Sequence, residues 1–403
     1  MPLTAAVLYG GTPALASEAD GSAPAPALAL PAQTPLPPGV SPPTPVAAVP
    51  LVPSVRIELP KPPATRFELP PPPAGVVVPH IALLLPLDSS AFARHADAVR
   101  NGFFAAATVQ GSTPLPVRLY TTGDDPQQVT EGYLKALGAG ARVVVGPLTR
   151  SGVTAIAESV MVMVPTLALN VPETRVDPLP DFYTLSLQVE AEARQVAQLA
   201  WQDGRRNALT VIGDTPLLKR IHQAFVEEFT RLGGNHVAAY PFALDPEGLR
   251  RIKKAADTAL EEETADMAFL ALDLTRARLS RGYLSTLALY ATSQINPGNV
   301  GPLVGFDLAG VRFLDMPWLL LPEHPAVMVY PRSDYRDILE LDRFHALGID
   351  AFRIALALLA GQPDIALDGV TGRLSMGRDR HIVRGLTAAQ FSDGKLTVVR
   401  ERQ

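Results

Sequence analysis

Cysteine is absent from this chain, which excludes disulfides, thiol catalysis and thiolate metal sites. A surplus of basic residues is absent too. The net charge of −5 leaves nothing to neutralise a run of phosphates, so nucleic acid is excluded as the main partner. No apolar run reaches the roughly 18 residues that a membrane-spanning helix requires. Enzyme signatures are missing as well: no phosphate loop, no G-x-G-x-x-G after a strand, no H-E-x-x-H, no G-x-S-x-G elbow. Ser392-Asp393-Gly394-Lys395 matches S-x-x-K formally, but an Asp-Gly pair predicts a hairpin turn there and not a helix start. The histidines (80, 95, 222, 236, 324, 345 and 381) show no ligand spacing. His345 is expected to pack on the other lobe of the fold described below. The expectation is a protein that is not an enzyme and carries no cofactor or metal.

Proline is abundant and unevenly placed, with 21 of the 40 in the first 79 residues. Such a segment cannot build a core, so residues 21–79 are expected to form a disordered, polyproline-like tether. Fully extended at about 3.1 Å per residue, positions 31–79 would span roughly 150 Å. The tether holds a ten-residue echo, Arg56-Ile57-Glu58-Leu59-Pro60 and Arg66-Phe67-Glu68-Leu69-Pro70. It is read as a product of biased composition, with a duplicated docking motif as the alternative. Residues 1–20 have a short apolar stretch and an Ala14-Leu15-Ala16 cleavage-like site but no basic cluster. They are read as signal-like or disordered, and export is expected.

From His80 onward, strands alternate with helices. "HIALLLPL", "LPVRLYTT", "ARVVVGP" and "MVPTLALN" read as buried strands separated by helical segments at 91–107, up to 137 and over 150–160. "ALTVIGD", "HVAAYPF", "MAFLALD" and "LALYATS" repeat the pattern with helices at 216–234, up to 260 and near 275–287. A long helix covers 336–361, and antiparallel strands follow, turning at Asp393-Gly394. The expected fold is α/β: a bilobed clam-shell of two open parallel sheets flanked by helices, lobe 1 from 80–187 and 322–362, lobe 2 from 188–321 and 363–403.

In such sheets ligands bind beyond the carboxyl ends of the strands. The candidate cleft residues are therefore Asp88, Ser89, Ser90, Leu148, Thr149, Arg150 and Asn170 from the first lobe, and Asp214, Thr215 and Asp273 from the second. Hydroxyls and helix-start amides there suit a carboxylate, and Asp214 or Asp273 an ammonium group. Helix capping is the competing reading for each.

"HIALLLPLDSSAFARHADAVRNGFFAA", "ARVVVGPLTRSGVTAIAE" and "VPTLALN" resemble the first lobe of type I periplasmic binding proteins. "DLAGVRFLDMPWLL", "RFHALGIDAFRIA" and "GVTGRLSM…HIVRGLTAAQFSDGK" are similar to the penicillin-binding-protein activator family of LppC-type lipoproteins. The most specific parts are Asp315-Met316-Pro317-Trp318 and Ala346-Leu347-Gly348-Ile349-Asp350-Ala351. The resemblance implies a periplasmic, non-catalytic regulator that binds and activates a class A penicillin-binding protein, in association with the outer membrane. The family's lipidated cysteine has no counterpart in this sequence, and a Pro-rich segment stands where members often carry a helical-repeat domain. The alternative is a receptor for an amino-acid-like solute serving an ABC transporter.

Overall fold

The computed structural model describes residues 67–159, 162–298, 302–362, 364–377 and 379–399. The signal-like start and the tether up to residue 66 lie outside them. Within the compact unit Pro62–Gln403 the chain first lays down β1 (Glu68–Leu69), β2 (His80–Leu85), α1 (Ala93–Gln110), β3 (Val117–Thr121), α2 (Pro126–Gly138), β4 (Ala141–Val145), α3 (Arg150–Ser159), β5 (Thr166–Ala168) and β6 (Phe182–Leu185). A second run follows: α4 (Val189–Gln202), β7 (Asn207–Ile212), α5 (Pro216–Arg231), β8 (Asn235–Pro241), α6 (Pro246–Glu261), β9 (Met267–Ala271), α7 (Leu274–Arg281), β10 (Ala288–Ala291), α8 (Pro302–Asp307) and β11 (Val311–Asp315). The chain closes with α9 (Pro317–Leu320), α10 (Pro325–Met328), α11 (Leu339–Leu359), β12 (Ala366–Asp368), β13 (Arg373–Met376), β14 (His381–Gly385), β15 (Thr387–Ser392) and β16 (Lys395–Val398). The sheet orders are β1-β3-β2-β4-β5-β6-β14-β13-β12 and β16-β15-β11-β10-β9-β7-β8.

The continuous apolar strands follow from burial on both faces. In β2, Ile81, Leu83 and Leu85 enter a core shared with Val99 and Phe103 of α1 and Leu347 and Phe352 of α11. The alternate residues Ala82 and Leu84 enter another core with Val129 and Tyr133 of α2 and Val153 and Ile156 of α3. β9 divides the same way: Ala268 and Leu270 pack with Ile252 of α6, while Met267 and Phe269 pack with Phe225 of α5. The Phe225 and Phe269 rings stack with centroids 3.9 Å apart. The hairpin at Asp393-Gly394 is present, both residues having positive φ (50° and 72°) between paired Ser392 and Lys395.

Four expectations are corrected. The end of the predicted tether is ordered, because Glu68 and Leu69 pair in parallel with Val117 and Arg118 of β3. Residues 366–385 belong to the first sheet, not to the second lobe, because β14 pairs with β6 and carries β13 and β12 with it; only β15 and β16 extend the second sheet. His345 packs beside Trp318 and Tyr335, ring centroids 5.6 and 6.5 Å away, and so lies in the helix layer of the first lobe. The helix expected near 275–287 is shorter, with Gly282 as its C-cap. β6 and β11 had not been anticipated as strands.

The "ALGIDA" run has a packing reason. α1 and α11 cross with their backbones nearly touching, at a glycine from each. A Cβ on Gly348 would lie 2.0 Å from the carbonyl oxygen of Val99, and one on Gly102 would lie 1.9 Å from that of His345. No side-chain adjustment relieves a collision with backbone, so Gly348→Ala should cost about 2–3 kcal/mol through overpacking. Gly138→Ala, at a position with nothing within 4 Å, should stay within about 0.5 kcal/mol of the parent. Urea unfolding of the two variants measures the contrast, and equal losses would refute the account.

Candidate functional site

The strand-end residues are in place, and most are engaged by the protein itself. Ser89 is buried, and its Oγ accepts from the backbone N–H groups of Ala91 (3.2 Å) and Phe92 (3.1 Å) at the start of α1. Asp88 and Ser90 on either side are exposed. Leu148 belongs to the first-lobe core. Thr149, also buried, accepts from Gly152 N–H at 3.3 Å. Arg150 donates to the Pro172 carbonyl at 3.0 Å. Asn170 donates to the Leu148 carbonyl at 3.0 Å, which ties the ends of β4 and β5 together. Gly146, the residue at which β4 stops, has φ +112°, and a Cβ there would meet the Leu84 carbonyl oxygen at 2.0 Å. The turn therefore requires glycine.

In the second lobe, Thr215 caps α5 through Leu218 N–H (3.3 Å) and Asp273 caps α7 through Arg276 N–H (3.0 Å). The Arg276 guanidinium then bridges Asp273 and Asp214, the latter at 2.8 Å. The two carboxylates proposed for an ammonium group are thus brought together, with the chain's own arginine between them. Among the described residues no group of three His, Asp or Glu side chains is arranged to hold a metal ion.

The sequence reading missed a second polar centre, where the chain passes between the sheets. It crosses at residues 186–188, again at 316 and again at 386, after β6, β11 and β14 respectively. Around these crossings Asp315, 2% exposed, accepts from Arg343 of α11 (2.7 Å) and from Asn296 (2.8 Å). Arg343 also reaches the Ser293 carbonyl at 3.3 Å. Glu192 of α4 accepts from the Ser293 backbone N–H and from its hydroxyl, the latter at 3.0 Å. Arg384 of β14 donates to the Ser186 carbonyl (2.8 Å) and the Thr371 carbonyl (3.2 Å). Leu386 N–H donates to Gln195 at 3.0 Å.

The two family-like motifs supply much of this centre. Asp315 also caps Met316 N–H at 2.8 Å. After Pro317, the Trp318 indole donates to Asp342 at 2.7 Å and its backbone N–H donates to the Val370 carbonyl. Asp350, wholly buried, accepts from the N–H groups of Val370 (3.0 Å) and Thr371 (2.7 Å) and from the Thr371 hydroxyl (2.7 Å). Burial raises its pKa against those hydrogen bonds. Arg343 is held charged: burial would lower it, but Asp315, Glu192 and Asp342 together raise it. Burial lowers Arg384 despite the nearby carboxylates.

A family model described as "LppC putative lipoprotein" matches residues 75–394. The curated "Penicillin-binding protein activator LpoA" of Edwardsiella ictaluri is 28% identical over 358 residues, which cover 79% of this chain and 52% of that protein. Its namesake in Haemophilus influenzae is 28% identical over 335 residues, covering 80% and 55%. The chain spans about half the length of the curated relatives it matches. Among solved structures, a "putative branched-chain amino acid ABC transporter" from Chromobacterium violaceum is 40% identical with a TM-score of 0.67, covering 78% of this chain and all of that one. Full-length LpoA from Haemophilus influenzae is 25% identical with a TM-score of 0.65, covering 80% and 59%.

The crossing centre titrates. Burial, with the charge of Asp315 beside it, pushes Glu192 up to about 7 from 4.5, against the Ser293 amide and the two arginines. The folded state therefore keeps a proton that the unfolded chain releases. This stability is full below pH 4.5 and is lost as pH rises through 7, by roughly 3 kcal/mol at most. His345 acts in the opposite sense: burial, partly offset by Asp342 and Asp334, pushes it down to about 4 from 6.5. Its contribution is lost as pH falls through that window. Glu192→Gln should stay within about 1 kcal/mol of the parent at pH 5 and gain about a further 1–3 kcal/mol over it at pH 8. Urea titrations at the two pH values test this, and a difference independent of pH would assign the titration to another group.

Proposed function

The chain belongs to the LppC family, and on that premise we propose that it is a non-catalytic periplasmic regulator that binds and activates a class A penicillin-binding protein in peptidoglycan synthesis. The carrying observation is the family match over residues 75–394, together with relatives named penicillin-binding protein activators. The site geometry supports it. Ser89, Thr149, Thr215 and Asp273 are used as helix caps, and Arg276 occupies the acidic pair. Contact with a protein partner requires none of these groups to be free.

The second reading is a solute receptor, favoured by the 40% identity to the Chromobacterium protein. An amino-acid-like ligand would then meet Ser89 or Thr149 through its carboxylate and displace Arg276 from Asp214 or Asp273 with its ammonium group. Two measurements separate the readings. The activator should bind an immobilised class A penicillin-binding protein at tens of micromolar or tighter and raise its rate of glycan polymerisation or cross-linking. Absence of binding in that range refutes it. A melting-temperature rise of about 5 °C or more with a single amino acid establishes the receptor, since a ligand stabilises the state it binds.

A further inference from the structure

Two histidines meet at one threonine near the edge of the second sheet. β8 is the edge strand there, beside β7. Ala238 and Tyr240 of β8 pack with Ile252 of α6, so strict alternation would turn His236 to that face as well. The register shifts between Ala208, which pairs with His236, and Leu209, which pairs with Ala238. Val237 is thus the extra residue of a β-bulge, and it turns His236 to the opposite face. α5 covers that face, where its Ile221 and Phe225 pack with Ala208. His222 of α5 lies over His236 with ring centroids 5.5 Å apart. The Nε2 atoms of both rings come to the hydroxyl of Thr210 on β7, each at 3.0 Å. Thr210 is wholly buried and the two rings are half-buried, so the meeting point has a protein floor while the rings keep contact with solvent.

Two imidazole nitrogens, each 3.0 Å from the same oxygen, have the spacing of ligands around one ion. Ligand atoms about 2.1 Å from a metal and roughly 90–110° apart lie about 3.0–3.4 Å from one another. Two imidazoles bound to one ion at tetrahedral to trigonal angles have ring centroids roughly 5.2–5.6 Å apart, and the observed separation of 5.5 Å falls in that range. Burial lowers the pKa of both rings; for His222 the charge of His236 adds to it, and for His236 the Ala238 carbonyl partly opposes it. Both rings are therefore neutral at pH 7, the form in which imidazole binds a metal. We propose that His222, His236 and Thr210 form a binding site for one divalent transition-metal ion of the zinc class, with the two Nε2 atoms and the Thr210 hydroxyl as ligands and water completing the shell. Imidazole nitrogen selects such ions over Mg²⁺ and Ca²⁺, which take carboxylates. No carboxylate joins the pair, in keeping with the absence of any three-residue His, Asp or Glu cluster among the described residues, so the site is open and of moderate affinity. The ion joins α5, β7 and β8 at one point and pins the edge of the second sheet under its helix. The sequence expectation of no metal rested on ligand spacing, which shows neither the bulge nor the meeting of a helix with an edge strand.

Zinc chloride titrated into the untagged full chain tests this, by calorimetry and by the Cε1–H resonances of its seven histidines. One ion per chain should bind with a Kd on the order of 10 μM, and the resonances of His222 and His236 alone should move. His222→Gln and His236→Gln should each weaken binding by about tenfold or more, and His324→Gln, on α10, should leave it unchanged. Glutamine can still hydrogen-bond Thr210, and a melting temperature within about 2 °C of the parent in the absence of zinc shows that a variant folds. Where a variant unfolds, the parent's resonances decide. Absence of saturable binding below about 100 μM, or a shift confined to other histidines, overturns the proposal. An ion that binds only as two chains pair, seen as a doubled mass in light scattering, lies between molecules and overturns the intrachain site.

Discussion

The buried pairing of Arg343 with Asp315 sets the terms for the rest of the molecule. One partner lies on a helix packed against the first sheet, and the other ends a strand of the second. Charges withdrawn from water must be matched where they lie. Removing one partner of such a pair commonly costs about 3–5 kcal/mol, because the other is left buried and uncompensated. Asn296, Ser293 and the Met316 amide complete the hydrogen bonding of the pair, so its geometry depends on pieces of chain from both lobes. The motif around Trp318 and the buried Asp350 extend the same logic to the loop at 370–371.

This centre also bears on how the fold is used. A receptor that closes on a solute needs unspent polar groups at its strand ends and a junction that yields. Here the strand ends are largely committed to caps and to Arg276, while the junction carries several buried ionisable groups. Both observations fit a scaffold for protein contact. The same β-α-β architecture serves either role, so the distinction rests on the residues and not on the fold.

Much of this was legible in the sequence. "HIALLL" and "MAFLA" declared strands buried on both faces, Gly146-Pro147 marked a strand end, and Asp393-Gly394 announced its hairpin. Ser89, Thr149, Thr215 and Asp273 were identified at the correct turns, with capping as the competing role, and capping is what they do. The crossing centre was not legible, because its bonds join residues far apart in the chain: Glu192 to Ser293, Arg384 to Ser186. Nothing local distinguishes Glu192 from any acidic residue in a first helical turn. β12 to β14 were assigned to the wrong lobe because strand periodicity tells which residues alternate, not which sheet edge they join. The fork between Glu68 and Arg100 was not legible either, because it joins residues 32 apart in the chain.

The threefold passage between the sheets has a consequence for how the chain is made. The first sheet lacks part of its span until residue 385 is available, and the second until residue 398. Neither lobe is a contiguous stretch that a ribosome or a secretion pore could release finished while the other is still to come. Both must wait, with their strand edges open, for residues 366–398. A chain interrupted anywhere before α11 loses material from both halves at once, so nature cannot trim or transplant one lobe with a single cut.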